Sequence, residues 1–463
     1  MTDRTERDET PDPSEGLRPS WSRSSRRLPR KVVQPLQAFL QTEISSAILL
    51  LAATAAALIW ANAPFSESYQ GFWGTELTIR IGTRTLTHDL QVWVSDGLMS
   101  VFFLLVGLEI KRELLTGELR DRRRAAMPAL AALGGMLVPA AIYLAFTAST
   151  DAADGFGIAM PTDIVFALAV LTLARNAPAG LKAVLLTLAI VDDLGSIVVV
   201  AFVDSSDVDG LALAVALGIF VAFAVLWRIG VRAVVVYVVL ALASWVALDA
   251  GGVAPTLAGV VIAFLTPAVA FQRPRHVSAE AHRVADLTLD EPDPPDADAA
   301  QWLDLARMSR EAVSPLARAE ALLLPWSSYV VVPLFALANA GVRLSGHAVA
   351  EAASSRLGLG ILTSRIVGKP LGIALAVLVA LRLGLGTLPD GVRRGHVVAV
   401  GAVAGIPFTV SLFVAELALP ARLVEPATVA IMLAAAAAGL VGFLLLRRSA
   451  GGAVPERVPS QVS

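Results

Sequence analysis

The sequence predicts an all-α polytopic membrane protein of twelve transmembrane helices, two of them discontinuous, with a small external β-hairpin. Three observations carry that prediction. Of 463 residues 56% are hydrophobic and only 16% charged, with a mean hydropathy of +0.68, whereas soluble domains carry about 25% charged residues. Apolar runs long enough to cross about 30 Å of hydrocarbon recur along the chain. Basic residues crowd every second connection between those runs.

Residues 1–40 are polar, contain proline, and carry a basic cluster at Arg23, Arg26, Arg27, Arg30 and Lys31. No apolar core follows within the first thirty residues, so the segment is expected to be a disordered cytoplasmic tail and not a secretory signal. The spans read as 43–63, 92–113, 126–147, 157–175, 181–203, 210–229, 232–249, 252–271, 317–342, 357–382, 396–418 and 426–447. Arginine and lysine gather in the tail, 111–124, 175–182, 228–232, 273–283, 382–394 and at Arg447 and Arg448. The connections 148–155, 204–210 and 248–251 are acidic or nearly neutral. The alternation is unbroken, which places both termini, including the tail 449–463, in the cytoplasm.

Two connections are long. Residues 75–94 alternate β-branched and polar residues around Gly82, as a hairpin does, and an isolated hairpin would gain stability by pairing with a second copy. Residues 272–315 form a cytoplasmic loop insertion around LTLDEPDPPDADAA, a stretch expected to be disordered. Much chemistry is excluded outright. Without cysteine there is no disulfide, thiolate metal site or cysteine nucleophile, and no phosphate-binding loop or basic nucleic-acid motif occurs. No cofactor is expected. The five histidines fall in connections or at span ends.

What remains is a set of charges inside the spans. Asp192 and Asp193 sit at the centre of LAIVDDLGSIVVV. A carboxylate at membrane depth costs at least a few kcal/mol, so it needs a partner, a cavity or a function. Neighbouring helical residues point about 100° apart, so the pair faces two different surroundings. Asp163 and Thr162 lie in GIAMPTDIVFALAV, where Gly157 and Pro161 interrupt span four. Gly401, Gly405 and Pro407 interrupt span eleven in the same way. Each interrupted span is the middle member of a group of three, and paired breaks of this kind point to a transporter site between inverted repeats. Lys369, near the middle of span ten, calls for a carboxylate partner among Asp163, Asp192 and Asp193. Arg365, one turn earlier, would add a charge or snorkel to the outer interface. Glu109 and Arg112 close the second span as either a gate or an interfacial ion pair.

The plainer alternatives are a buried ion pair that only holds the bundle together, and an aspartate that only caps a kinked helix. A bound ion would meet carboxylates, a threonine hydroxyl and carbonyls of the broken span, a hard-oxygen set suited to Na⁺ or Li⁺. An intramembrane aspartyl protease would need two carboxylates sharing a proton across a small gap, which adjacent helical residues do not offer. A Na⁺-coupled organic-anion transporter would need more donors facing an anion.

The stretches DGLMSVFFLLVGLEIKREL, PTDIVFALAVL, LAIVDDLGSIVVVA, TLAGVVIAFLTP, PLFALANAGV, GKPLGIAL and GIPFTVSLF together resemble the bacterial Na⁺/H⁺ antiporters called NhaA, in family order over most of 40–447. The resemblance implies inverted repeats with spans four and eleven unwound and crossing at mid-membrane. It also implies a homodimer assisted by the 75–94 hairpin in the bacterial inner membrane. Asp192 and Asp193 would then bind Na⁺ (or Li⁺) and protons. Lys369 would pair with one of them, Asp192 being favoured. Asp163 would balance charge at the crossed helix ends, and Glu109 with Arg112 would guard a cytoplasmic funnel. The departures are Ala254, Ala321 and Leu324 where better-known relatives have histidines, and Pro407 in place of a glycine. Histidine titrates near neutrality, so a steep pH switch is not expected here. The expected activity is electrogenic exchange of Na⁺ or Li⁺ against protons by alternating access, with those ions as substrates, the lipid bilayer and a second copy of the chain as partners, and no nucleic acid.

Overall fold

The computed structural model describes residues 43–450 except 82–83, 118–119, 121, 175–177, 204–208, 290–298 and 386–391. The expected tails at 1–40 and 449–463 therefore lie outside the described residues, apart from the end of the last helix. Besides two short helices, Ser66–Trp73 and Gly346–Ser354, the described helices in chain order are α1 (Glu43–Asn62), α2 (Leu90–Thr116), α3 (Arg122–Thr147), α4 (Ile164–Leu173), α5 (Ala179–Val203), α6 (Gly210–Arg228), α7 (Val234–Ala250), α8 (Leu257–Leu265), α9 (Pro274–Leu289), α10 (Ala299–Glu311), α11 (Pro315–Asn339), α12 (Arg356–Arg382), α13 (Arg394–Ala404), α14 (Thr409–Ala418) and α15 (Ala421–Ala450).

Eight helical stretches among the described residues are long and apolar enough to cross a membrane, and α13 with α14, bent by 51° at their break, makes a ninth. Helix also occupies the expected fifth, seventh and eighth spans. α8 is much shorter than the expected 252–271: its 9 residues rise only about 14 Å. Gly252 at φ +67° and Pro255 delay its start, and the extended Thr266 before Pro267 ends it. Apolar side chains cover the outside of the bundle. On α6 and α7, Leu211, Leu217, Val234, Val235 and Leu242 are 63–75% exposed, a surface that water would penalise and acyl chains accept. The chain is a multi-pass membrane protein.

Inside the bundle, small residues let backbones touch. A Cβ added to Gly134 of α3 would fall on the carbonyl of Gly372 in α12, and one added to Gly372 would fall on the carbonyl of Gly134. Close backbone approach of this kind, with dispersion and not water exclusion as its driving force, is how helices associate in lipid. It locks α12, which carries Lys369, against α3.

Both long connections carry regular structure. Strands β1 (Glu76–Ile81) and β2 (Arg84–Asp89) pair antiparallel from Glu76 opposite Asp89 to Ile81 opposite Arg84. The sheet ends at Asp89 because its carboxylate accepts the Val92 amide at 2.8 Å and caps α2. Residues 90–94, expected in the hairpin, are therefore helix. Its apex at 82–83 lies outside the described residues. The insertion 272–315 contains two helices, α9 and α10, joined through Val277, Val284 and Leu305. They are anchored where the Gln272 amide donates to the Glu311 carbonyl at 3.1 Å and Arg232 pairs with the Glu311 carboxylate. The residues at 290–298, the core of the stretch expected to be disordered, lie outside the described residues.

Candidate functional site

The site is built on two breaks. Span four begins as a 3₁₀ turn, Ala153–Ala159, runs non-helical through residues 160–163, and resumes as α4. Pro161 supplies no amide donor and disfavours helix at Met160. Asp163 then caps α4 by accepting the Phe166 amide at 3.1 Å. Span eleven stops at Ala404 and resumes at Thr409, with Pro407 in the gap. The breaks touch. The Asp163 amide donates to the Ile406 carbonyl at 3.0 Å. The Thr409 amide and hydroxyl donate to Asp163 Oδ2 at 3.2 and 3.0 Å. Asp163 thus places one oxygen on the N-terminus of α4 and the other on the N-terminus of α14. A carboxylate is favoured at both, because each presents unpaired amides and the positive end of a helix dipole.

α5 brings Asp192 and Asp193 to this junction, and their neighbouring positions send them apart as the helical geometry requires. Asp192, fully buried, receives Lys369 Nζ on Oδ2 at 2.5 Å and stands 2.8 Å from Thr162 Oγ1 through the same oxygen. Thr162 Oγ1 is also 2.8 Å from the Ala404 carbonyl, so one hydroxyl proton serves two acceptors. Asp193 turns instead into a cavity of about 720 Å³, whose lining includes Asp163, Glu109, Glu113, Arg112 and Thr187. Oδ1 of Asp192 and Oδ1 of Asp193 are buried and have no hydrogen-bond partner among the described residues. Such an orphan oxygen is expensive unless something binds it. Neither the pairing of Asp192 with Lys369 nor the exposure of Asp193 to a cavity suits two aspartates sharing one proton.

Arg365 does not snorkel. It is 0% exposed. Its guanidinium donates to the Pro161 carbonyl at 2.6 Å, the Ile158 carbonyl at 2.5 Å and Ser411 Oγ at 2.6 Å. Lys369 Nζ also takes the Met160 carbonyl at 2.5 Å. This alters the expected ligand set for an ion. Carbonyls 158, 160 and 161 already accept cationic donors, and carbonyls 404 and 406 accept Thr162 and Asp163. The side-chain oxygens, above all Asp193 Oδ1, are the ones left open.

At the mouth of the cavity, Glu109 and Arg112 are brought together as lining residues, but Arg112 makes its ion pair with Glu320 of α11. Leu324 lines the same cavity. At the other end of α14, Glu416 accepts Gln91 Nε2 at 3.1 Å and Ser95 Oγ at 2.9 Å, while Asn339 bonds both of those donors. Sequence reasoning missed this knot, as it missed Thr409 and Ser411. Thr409 had a usable signal only as a hydroxyl at the restart of an apolar span after Pro407; it is the first residue of α14, behind the N-cap Phe408.

The sequence has counterparts among known proteins. Residues 37–446 match the family described as Na⁺/H⁺ antiporter 1. The chain is 43% identical over 442 residues to the Na⁺/H⁺ antiporter NhaA 2 of Sorangium cellulosum, spanning 93% of this chain and 94% of that one. It is 43% identical over 430 residues to the NhaA 2 of Myxococcus xanthus, spanning 91% and 90%. It is 42% identical over 436 residues to the NhaA of Oleidesulfovibrio alaskensis, spanning 92% and 96%. With the family matched over residues 37–446 and relatives matched over about nine-tenths of this chain and of their own, this chain belongs to the Na⁺/H⁺ antiporter family of the NhaA type, a family of transporters.

Proposed function

We propose that the chain is a secondary antiporter that expels Na⁺, and Li⁺ as well, in exchange for entering protons. The observation that carries this reading is Asp193. It is a buried carboxylate with an unpartnered oxygen, facing a cavity, beside a second carboxylate held by a lysine. A monovalent hard cation suits an oxygen-only site with a local excess of negative charge. Protons and Na⁺ compete for Asp193 and Asp192, so loading one discharges the other. When Na⁺ enters, Lys369 and Asp192 need not remain paired, and protons leave more than one group for each cation bound. Unequal charge then crosses the membrane, which makes the exchange electrogenic.

The same reading takes all twelve helical segments as spans, with spans four and eleven crossing at their breaks and both termini cytoplasmic. Asp163 neutralises the facing helix ends, Thr162 steers Asp192, and Glu109 with Arg112 and Glu320 controls the cytoplasmic entrance from the cavity. Movement of the half-helices α4 and α14 relative to the rest opens the site alternately to each side. The chain works in the bacterial plasma membrane, as a homodimer paired through the β1–β2 sheet. An organic-anion substrate is disfavoured by the acidic lining, where Glu109, Glu113, Asp163 and Asp193 outnumber Arg112. The test is Na⁺- or Li⁺-dependent proton release from acid-loaded proteoliposomes, with uptake of organic anions as the rival outcome.

A further inference from the structure

Helix α12 inserts two cations, one turn apart, into the broken backbone of span four. One is Lys369; the other, Arg365, has no part in the exchange as described so far. Carbonyl 158 closes the 3₁₀ turn, where the residue three further on is Pro161 and has no amide to give, and carbonyls 160 and 161 lie where the turn has ended and α4 has not begun. In a bilayer such groups must be satisfied by the protein. Arg365 takes 158 and 161, and Lys369 takes the one between. A planar guanidinium can span two carbonyls and a third acceptor at once, whereas an ammonium is a point donor. The third acceptor is Ser411, which also donates to the Ile158 carbonyl at 3.1 Å. Ser411 is two residues beyond Thr409, the residue that holds Asp163 Oδ2. Arg365 therefore joins the two breaks from behind, while Asp163 joins them from the front.

We propose that Arg365 is a positioning residue for the cation site: its fork on carbonyls 158 and 161 and on Ser411 fixes the distance between the two breaks, and with it the placement of Thr162 and Asp163 beside Asp192 and Asp193. Its partners are all neutral, so it contributes a fixed positive charge behind the carboxylates without an ion pair of its own. The ends it holds are the carbonyl end of a 3₁₀ turn, where a cation is favoured. The inference rests on the reading that Na⁺ binds at these carboxylates.

The experiment compares wild type, Arg365→Lys, Arg365→Gln and Ser411→Ala in two assays. One is the Na⁺-dependent rise in melting temperature of the purified full-length protein, with choline as control. The other is Na⁺/H⁺ exchange in proteoliposomes, resolved into KM for Na⁺ and maximum rate. Arg365→Lys keeps the charge but not the fork. It is expected to raise both the Na⁺ concentration for half-stabilisation and the KM about tenfold, with a smaller change in maximum rate. Arg365→Gln is expected to weaken both at least as much, and Ser411→Ala by about threefold. Should Arg365→Gln fail to fold, Arg365→Lys and Ser411→Ala still decide. Wild-type Na⁺ affinity in both of these would overturn the proposal, as would a uniform fall in maximum rate at unchanged KM. Na⁺ stabilisation of wild type without exchange would count against antiport, while the binding titration would still judge Arg365.

Discussion

Replacing Lys369 by methionine tests how much the buried ion pair holds the site together. The change keeps a long apolar stem and removes a donor that serves Asp192 Oδ2 and the Met160 carbonyl, each at 2.5 Å. Asp192 has 0% exposure and its other oxygen has no partner among the described residues. The carboxylate is then left with Thr162 alone. Removing one member of a buried pair costs about 3–5 kcal/mol, and stripping a carbonyl of its donor adds about 1 kcal/mol. The expected loss is about 4–6 kcal/mol. Adding Asp192→Asn to the same chain removes the charge while keeping an oxygen for Thr162. It should return about 3 kcal/mol, because the larger part of the loss is the uncompensated charge. Unfolding of the detergent-solubilised single and double variants, arranged as a double-mutant cycle, measures both quantities. A Lys369→Met protein within 1 kcal/mol of wild type, or one that Asp192→Asn leaves as unstable as before, would refute this account of the pair.

Two other perturbations separate packing from access. Gly134→Val would force α3 and α12 apart at the point where their backbones meet. It should lower stability by about 1–3 kcal/mol or more, read as reduced melting temperature, while Gly218→Ala, with nothing near its Cβ, should be silent. Arg112→Gln should cost less than about 1 kcal/mol, because an ion pair with a half-exposed arginine is weak and the Arg112 side chain is 48% exposed. Its effect should appear in exchange kinetics, as a changed KM for Na⁺ entering from the cavity side. A large loss of stability without a kinetic change would make the Arg112–Glu320 pair a structural tie.

Much of the site could be read from the chain because lipid punishes exceptions. A proline or a charge inside an apolar run has few permissible explanations there. The breaks expected from Gly157 with Pro161 and from Gly405 with Pro407 fall at 160–163 and 405–408. The divergence of Asp192 from Asp193 follows from helical geometry alone, whereas that geometry does not say which of them meets Lys369, here Asp192. Other features depend on partners far off in sequence. Nothing local tells that Arg112 meets Glu320, 208 residues away. Nothing local shows that Arg365 points inward, since an arginine one turn from a lysine near a span end can equally reach the headgroups. Nothing local singles out Glu416, because both of its partners, Gln91 and Ser95, come from α2, more than 300 residues away. The helices that flank the centre of the insertion are illegible for a different reason. Its acidic, proline-rich middle dominates the composition, while the apolar stripe that folds α9 onto α10 consists of a few scattered residues such as Val277, Val284 and Leu305.

The central claim is that Na⁺ and protons exchange at Asp193. Proteoliposomes energised to acid inside, containing wild type or Asp193→Asn, are followed with a ΔpH-sensitive dye as Na⁺, Li⁺ or K⁺ is added from about pH 6.5 to 8.5, the range over which histidine titrates. Wild type should dequench the dye with Na⁺ and Li⁺ across this range without a steep pH step, since no histidine lines the cavity among the described residues. Asp193→Asn, inserted in equal amount, should not respond. Dequenching by the asparagine variant equal to that of wild type would place the exchange elsewhere, and no response from wild type to any of the three cations would contradict antiport itself.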